Sequence, residues 1–425
     1  MLTTILYIIL AIVVLLILIT VHEFGHYLAG KMLGFKINEF SIGFGKHTIF
    51  QKINKKGEKF SIRLIPLGGY CAFEGEDEDN PNNPEAFNNQ KPWKRLIVTL
   101  AGVFFNFLFG VLTAAIFLMC TQYAIPQVYQ LAPGNTYLQE GDIIRAINGK
   151  DLEIYRHMSD VTANYGEGEE FVITIERDGE IIDITIAKQN YQAFYYVANE
   201  AGIINNLYDV GGNPVSSQDF KEIIMSITPT KAEDGSYEKP QITSVYAYYY
   251  KNDAGELVAY TNDEIIEKAM ITLAPEGVSL GFVYSNYAQR YGFFESILKA
   301  WPFSFYICGV MLSALAGIFT GATQLKDLGG TVTAIGQIAE VSQMGFTQFL
   351  MLFPLLSLNL ALFNILPIPA LDGARAVFIL IEMIFRKPVP RKIEGYIHMV
   401  GLILLFALVI FLDVYHFFFV WFNWP

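Results

Sequence analysis

Apolar and polar residues occur in long blocks along the 425 residues of this chain. Ile5 to Thr20 is almost purely Ile, Leu, Val and Ala, and Val21 to Leu33 prolongs it into a helix long enough for a hydrocarbon core of about 30 Å. A second such run covers Leu96–Met119, and three more cover Trp301–Ala322, Phe349–Leu366 and Ile397–Phe411, the last extendable to Trp421. Between the first two runs the pattern changes to period two in Phe40–Phe50 and Phe60–Cys71, which predicts strands, with Gly43 and Gly45 interrupting the first. Glu74–Pro84 is acidic and rich in Asn and Pro, hence a loop. After the second run, Val128–Ile186 reads as short strands and turns around one helix. Leu207–Val215 then echoes Ile144–Lys150 weakly, and Tyr246–Tyr250 with Glu256–Tyr260 suggests a hairpin around Asn252-Asp253-Ala254-Gly255.

Composition and charge turn this pattern into a topology. With 53% hydrophobic residues the chain is too apolar for an ordinary soluble enzyme. Lys31–Arg95 carries eleven Lys or Arg, whereas Tyr123–Tyr291 carries 25 Asp or Glu against eleven Lys or Arg. Under the positive-inside rule the first stretch is cytoplasmic and the second extracytoplasmic. Met1-Leu2-Thr3-Thr4 has no basic side chain and no small-residue cleavage site follows, so the first helix is expected to stay, with its N-terminus outside. Five spans would put Asp372 outside, yet Arg375, Arg386, Lys387, Arg391 and Lys392 argue that this region is inside. Trp301–Ala322, with Gly309, Gly317 and Gly321, is therefore read as interfacial or re-entrant.

The expected fold is a polytopic α-helical membrane protein with about four transmembrane helices, a membrane-associated β-hairpin and an extracytoplasmic α+β region. Its parts are a first span (1–33), a membrane-associated β region (34–94), a second span (95–120), outer modules (126–188 and 189–290), a non-crossing segment (296–325), a third span (345–385) and a fourth (395–422). Cys71, Cys120 and Cys308 lie far apart and form no C-x-x-C pair, so they indicate neither a thiolate site nor a disulfide framework.

Candidate chemistry lies at the end of the first run. His22-Glu23-Phe24-Gly25-His26 puts two imidazoles one helical turn apart on one face, where both can bind one Zn²⁺ and Glu23 can act as general base toward water. Only six histidines occur in the chain. From Ile5 to His22 is about 25 Å of helix, so the pair lies at membrane depth, where ionisable groups are functional by default. A pair snorkelling into headgroups is the alternative. A catalytic zinc site needs a third protein ligand, and Asp372 is the candidate. It follows Pro367 and Pro369, which break an apolar helix where only protein or a water-filled cavity can cover the backbone. Asp372 could instead, or as well, cap a helix beginning at Gly373. His47, His157, His398 and His416 lack metal spacing, and His416 and Asp413 are read as interfacial.

His22–His26, together with Asn364-Ile365-Leu366-Pro367-Ile368-Pro369-Ala370-Leu371-Asp372-Gly373, resembles the site-2 protease family of intramembrane metalloproteases, in its bacterial branch with PDZ domains. The resemblance covers nearly the whole chain. It implies that His22, His26 and Asp372 hold Zn²⁺, that Glu23 is the catalytic base, and that Asn364 helps hold substrate or the oxyanion. Ala374 departs from the family's usual Gly. Ser41-Ile42-Gly43-Phe44-Gly45 resembles the family's G-x-G loop, and Ile65–Tyr70, with Gly68 and Gly69, the end of its β-hairpin. These glycines, with Pro367 and Pro369, become candidate substrate contacts, since a strand edge can pair with an unwound substrate. Ala101–Asn106 resembles its small-residue second span, where packing is the simplest role for Gly102 and Asn106. Leu131–Gly134 and Gln139–Gly149 resemble a PDZ domain, implying peptide or strand binding, or a size filter.

The resulting expectation is a zinc metalloendopeptidase of a bacterial inner membrane. It would cut transmembrane segments of single-pass proteins, such as anti-sigma factors or remnant signal peptides, in regulated intramembrane proteolysis. Its active site would face the cytoplasmic side and its PDZ region the outside. The lipid bilayer is an expected partner and nucleic acid is not. A catalytically silent PDZ adaptor is the competing reading, although Glu23 and Asp372 are both intact. A transporter using midplane carboxylates would need paired repeats that the sequence lacks.

Overall fold

The computed structural model describes residues 2–55, 57–76, 83–198, 206–242, 247–321 and 329–421. The chain divides into two compact units, Met1–Thr121 with Arg290–Pro425, and Gln122–Gln289. The first unit opens with helix α1 (Leu2–Leu33), strands β1 (Ile37–Ile53) and β2 (Lys59–Phe73), and helix α2 (Pro92–Cys120). Apolar on all faces, α1 is suited to lipid. Pro92 opens α2, where its missing N–H costs nothing. The two helices cross closely at Gly25, where a Cβ would come within 2.5 Å of the Ala101 carbonyl oxygen.

The strands predicted by alternation are present, but they fold back on themselves. Glu39–Ile42 has partners on both sides, Gly69–Ala72 on one and Lys59–Ile62 on the other, while Thr48–Ile53 pairs with Lys59–Arg63. Gly43 makes the reversal, with φ of 86° and no room for a Cβ, which would lie 2.8 Å from Arg63 O and 2.9 Å from Ile65 O. Gly69–Phe73 is thereby left at an edge of the small sheet, with a partner on one side only. Glu39 sits inside the hairpin. Burial opposes its charge, but hydrogen bonds from Ser61, Arg63 and Tyr70 hold its carboxyl below the usual range.

The second unit contains β3 (Gln122–Leu131), β4 (Ile143–Ile147), β5 (Lys150–Asp151), α3 (Met158–Thr162), β6 (Glu170–Arg177) and β7 (Glu180–Ala187). It continues with β8 (Gln189–Tyr191), β9 (Phe194–Val197), α4 (Ser217–Ser226), β10 (Tyr249–Lys251), β11 (Leu257–Ala259), α5 (Asn262–Ala269), β12 (Ile271–Ala274), β13 (Gly277–Ser279) and β14 (Phe282–Arg290). One sheet runs β14-β3-β4-β6-β7, with β5 beside β4. Thus the last strand of the 189–290 segment completes the sheet of 126–188. The hairpin expected around Asn252–Gly255 is β10–β11, although Tyr246 lies outside the described residues. A second core forms around Phe220, Ile224, Tyr248 and Ile265.

The chain returns to the first unit with α6 (Phe293–Thr320), α7 (Thr331–Gln343), α8 (Phe346–Ile365), α9 (Asp372–Phe385) and α10 (Arg391–Tyr415). Among the described residues five helices are long and apolar enough to cross a membrane: Ile5–Leu33, Pro92–Cys120, Phe293–Ile318, Phe346–Ile365 and Arg391–Phe418. The expectation counted about four. The segment read as re-entrant is an unbroken helix to Thr320, despite Pro302, and stops at Gly321 in the left-handed region; Ala322 lies outside the described residues. Ala11, Ile338 and Leu352 form a cluster that packs α7 against the first halves of α1 and α8. Asp413, expected at an interface, reaches from α10 to accept the Val332 and Thr333 N–H groups at 3.2 and 3.0 Å, capping α7.

Candidate metal centre

His22, Glu23 and His26 stand in the second half of α1, the two histidines against α2. His22 is 9% exposed. Its Nε2 lies 3.1 Å from His26 Nε2 and 2.9 Å from Asp372 Oδ2, and His26 Nε2 lies 3.4 Å from the same oxygen. Tetrahedral ligands about 2.0–2.2 Å from one Zn²⁺ sit about 3.3–3.6 Å from each other, so the three atoms span a triangle slightly tighter than the ion would set. Among the described residues they are the only group of three or more His, Cys, Asp or Glu so arranged.

The hydrogen-bond pattern suits a cation. His26 Nδ1 donates to the Val98 carbonyl at 2.8 Å, which leaves the Nε2 lone pair of the neutral ring facing the cluster. Buried Asp372 Oδ2 has no hydrogen-bond donor of good geometry among the described residues, although two imidazole nitrogens face it. Three converging electron-rich atoms are what a metal ion satisfies, and the residues present fit Zn²⁺.

Space for the cluster comes from Gly102 on α2. A Cβ there would run into His26 Nε2 and lie 2.7–2.8 Å from the His22 ring. Packing was the role expected of this glycine; its packing partner is the imidazole pair itself. Asn106, one turn on, is fully buried, with Nδ2 3.4 Å from His22 Nδ1 and its backbone carbonyl accepting from Ser357 at 2.7 Å. The half-buried Glu23 side chain lies beside the edge strand Gly69–Phe73, where a Cβ on Gly69 would lie 3.6 Å from Glu23 Cγ and the Cys71 backbone N–H is a neighbour of the carboxylate. Burial, then the nearby Glu23 charge, push the Cys71 thiol up, so it stays neutral.

Asp372 arrives differently. α8 ends at Ile365, residues 366–371 are non-helical, and Ala370 takes φ of 79°, rare for a residue with a Cβ. Asp372 is the first residue of α9 rather than its cap, which is Leu371. Long-range ties hold this segment. Ala370 N–H donates to His398 Nδ1 at 3.0 Å, Arg95 Nη2 lies 2.5 Å from Glu382 Oε1, and Arg375 pairs with Glu76. Sequence reasoning set His398 aside for lack of metal spacing, and gave no signal for the Val98 and Cys71 backbone groups.

The other candidates surround the cluster unevenly. Asn364 is half-buried on the last turn of α8, and its amide has no partner among the described residues. Pro367 is exposed and Pro369 half-buried in the break, where Pro369 packs against Gly401 of α10. Gly69 adjoins Glu23, whereas Gly43 and Gly45 lie at the fold-back of β1, and Gly68 packs against Phe44.

Comparison with known proteins agrees with this chemistry. Residues 10–408 match the family described as Peptidase family M50. A Vibrio cholerae protein described as "Putative zinc metalloprotease" is 27% identical, covering 93% of this chain and 95% of its own. The Regulator of sigma-E protease RseP of Escherichia coli K12 is 26% identical, covering 93% and 95%. A Campylobacter jejuni relative, also described as a zinc metalloprotease, is 26% identical over 94% and 90%. The chain belongs to peptidase family M50, the site-2 protease family, and is a membrane zinc metalloprotease.

Proposed function

We propose that this protein hydrolyses peptide bonds within transmembrane segments of single-pass membrane proteins, with His22, His26 and Asp372 holding Zn²⁺ and Glu23 as general base. The observation that carries the reading is the convergence of two imidazoles and one carboxylate on helices of the apolar unit, with Glu23 between the imidazoles in sequence. Held by His22, His26 and Asp372, Zn²⁺ would supply Lewis acidity and a lowered pKa for water. Glu23 takes the proton of the attacking water and passes it to the leaving amine. Gly69–Phe73 offers an unpaired strand edge to an unwound substrate segment, with Gly43, Gly45 and Gly68 shaping the hairpin behind it. Asn364, beside the break made by Pro367 and Pro369, hydrogen-bonds the substrate backbone.

The site also bears on topology. α8 shares a cluster with Ala11 at its start and leads to Asp372 beside His22 and His26 at its end, so α1 and α8 run in the same direction. α2 returns the chain to the face where α1 began. A single crossing by α6 would deliver α8 to the wrong face, and the 13 residues of α7 span about 20 Å, too few to cross back. On this reading the chain crosses four times and α6 does not change sides. The charge bias puts the site toward the cytoplasm of a bacterial inner membrane and Gln122–Gln289, read as a PDZ-type region, outside. By analogy with the relatives described as "Regulator of sigma-E protease RseP" and "Regulator of sigma E protease", substrates are anti-sigma factors or remnant signal peptides.

The test uses purified full-length wild type and Glu23→Gln. Both should contain zinc, and the variant should cleave a test transmembrane substrate about 10²–10⁴-fold more slowly. Zinc-free wild type, or equal cleavage by the two, overturns the reading.

A further inference from the structure

We propose that Asn106 is a positioning residue for the metal, holding His22 in the tautomer whose Nε2 is free to bind. The inference rests on reading His22 as a ligand. Nε2 is the His22 atom that faces His26 and Asp372, so Nδ1 must carry the ring proton when metal is bound. A buried N–H needs an acceptor. The polar side chain beside Nδ1 is the amide of Asn106, on the neighbouring helix and fully buried.

The amide places Nδ2 3.4 Å from His22 Nδ1, while Oδ1 is buried with no donor among the described residues. In that orientation the NH₂ donates to an Nδ1 lone pair, the ring proton moves to Nε2, and the ring cannot coordinate. Turning the amide by about 180° exchanges two groups of nearly equal size. Oδ1 then accepts from Nδ1–H and the Nε2 lone pair points at Asp372 and His26. The second imidazole already has this arrangement, with the Val98 carbonyl accepting from His26 Nδ1. One ligand is thus oriented by a backbone acceptor and the other by a side chain. Ser357, donating to the Asn106 carbonyl from α8, fixes the helix turn on which that side chain stands.

A packing role and a positioning role rank substitutions in opposite order. Leu matches Asn in shape and suits a buried, apolar site, whereas Asp buries a charge but keeps an acceptor facing Nδ1–H. Zinc affinity would be measured by chelator competition on full-length protein, and the ligand field by the absorption of the Co²⁺-substituted form. Asn106→Asp should stay within a few-fold of wild type, with the same Co²⁺ spectrum. Asn106→Leu should bind zinc about 10–100-fold more weakly, with an altered spectrum. If Asn106→Leu does not accumulate, Asn106→Ala serves, and it should bind more weakly than Asn106→Asp. Leu or Ala variants that bind zinc as tightly as wild type, or an Asp variant weaker than either, overturn the proposal. Zinc-free wild type would instead remove the reading of the site on which it rests.

Discussion

The two halves of the metal cluster are built on opposite principles. His22, Glu23 and His26 stand on a 32-residue helix whose regular spacing alone sets their geometry. Asp372 stands at the start of a 14-residue helix, after a break whose path is set by side chains from α2, α10 and the turn after β2. The first half is rigid, so crowding damages it. The second is held by ties, so cutting a tie damages it.

Crowding should have the largest effect. In Gly102→Ala the new methyl group would enter the space between the imidazoles, which α1 cannot yield without breaking its contact at Gly25. Zinc affinity should fall by about 100-fold or more, and cleavage with it. Gly110→Ala, on the same helix but facing Leu358, is the control: it should cost stability and leave zinc affinity unchanged. Full-affinity zinc binding by Gly102→Ala would mean that the α1 half is not the rigid one.

The same contrast explains what was legible in the sequence. The His pair is a local pattern, because i and i+4 share a helix face whatever the rest of the chain does. Asp372 was visible through its broken, proline-bearing context and a family resemblance. The ties that place it were not, since Arg95 and Glu382 are 287 residues apart and no periodicity links them. The strands of the hairpin showed in their alternation. Their folding back at Gly43 did not, because a period of two says which face a residue takes and not which edge is paired. Likewise the apolar run of α6 was plain, but whether it changes sides depends on where α7 and α8 pack. The weak echo at Leu207–Val215 suggested a second PDZ-like or an inserted module, and no local pattern showed that β14 from that segment joins the sheet of the first.

Next in effect on zinc binding is cutting the Arg95–Glu382 tie, whose direct cost falls on stability. Arg95 is 2% exposed, and its guanidinium has Glu382 and the Gln90 carbonyl as partners. Glu382→Leu strands a buried cation and should cost about 3–5 kcal/mol of stability, read by unfolding of the zinc-free protein. Adding Arg95→Met removes the stranded charge and should recover most of the loss. A double variant as unstable as the single one would show that α9 is held by packing and not by this pair.

The smallest effect isolates the hydrogen bond nearest Asp372. His398 Nδ1 accepts from Ala370 N–H two residues before the carboxylate, at a backbone position with positive φ. In His398→Ala that N–H loses its acceptor, a cost of about 1 kcal/mol, and the break relaxes toward more ordinary dihedral angles. Zinc affinity should fall a few-fold while the α1 half keeps its geometry. His398→Gln can present a carbonyl oxygen at nearly the same place and should bind zinc almost as wild type does. Chelator competition on the three proteins separates the cases. If His398→Ala binds zinc as tightly as wild type, the break holds its own shape, and the two halves of the cluster differ less than their construction implies.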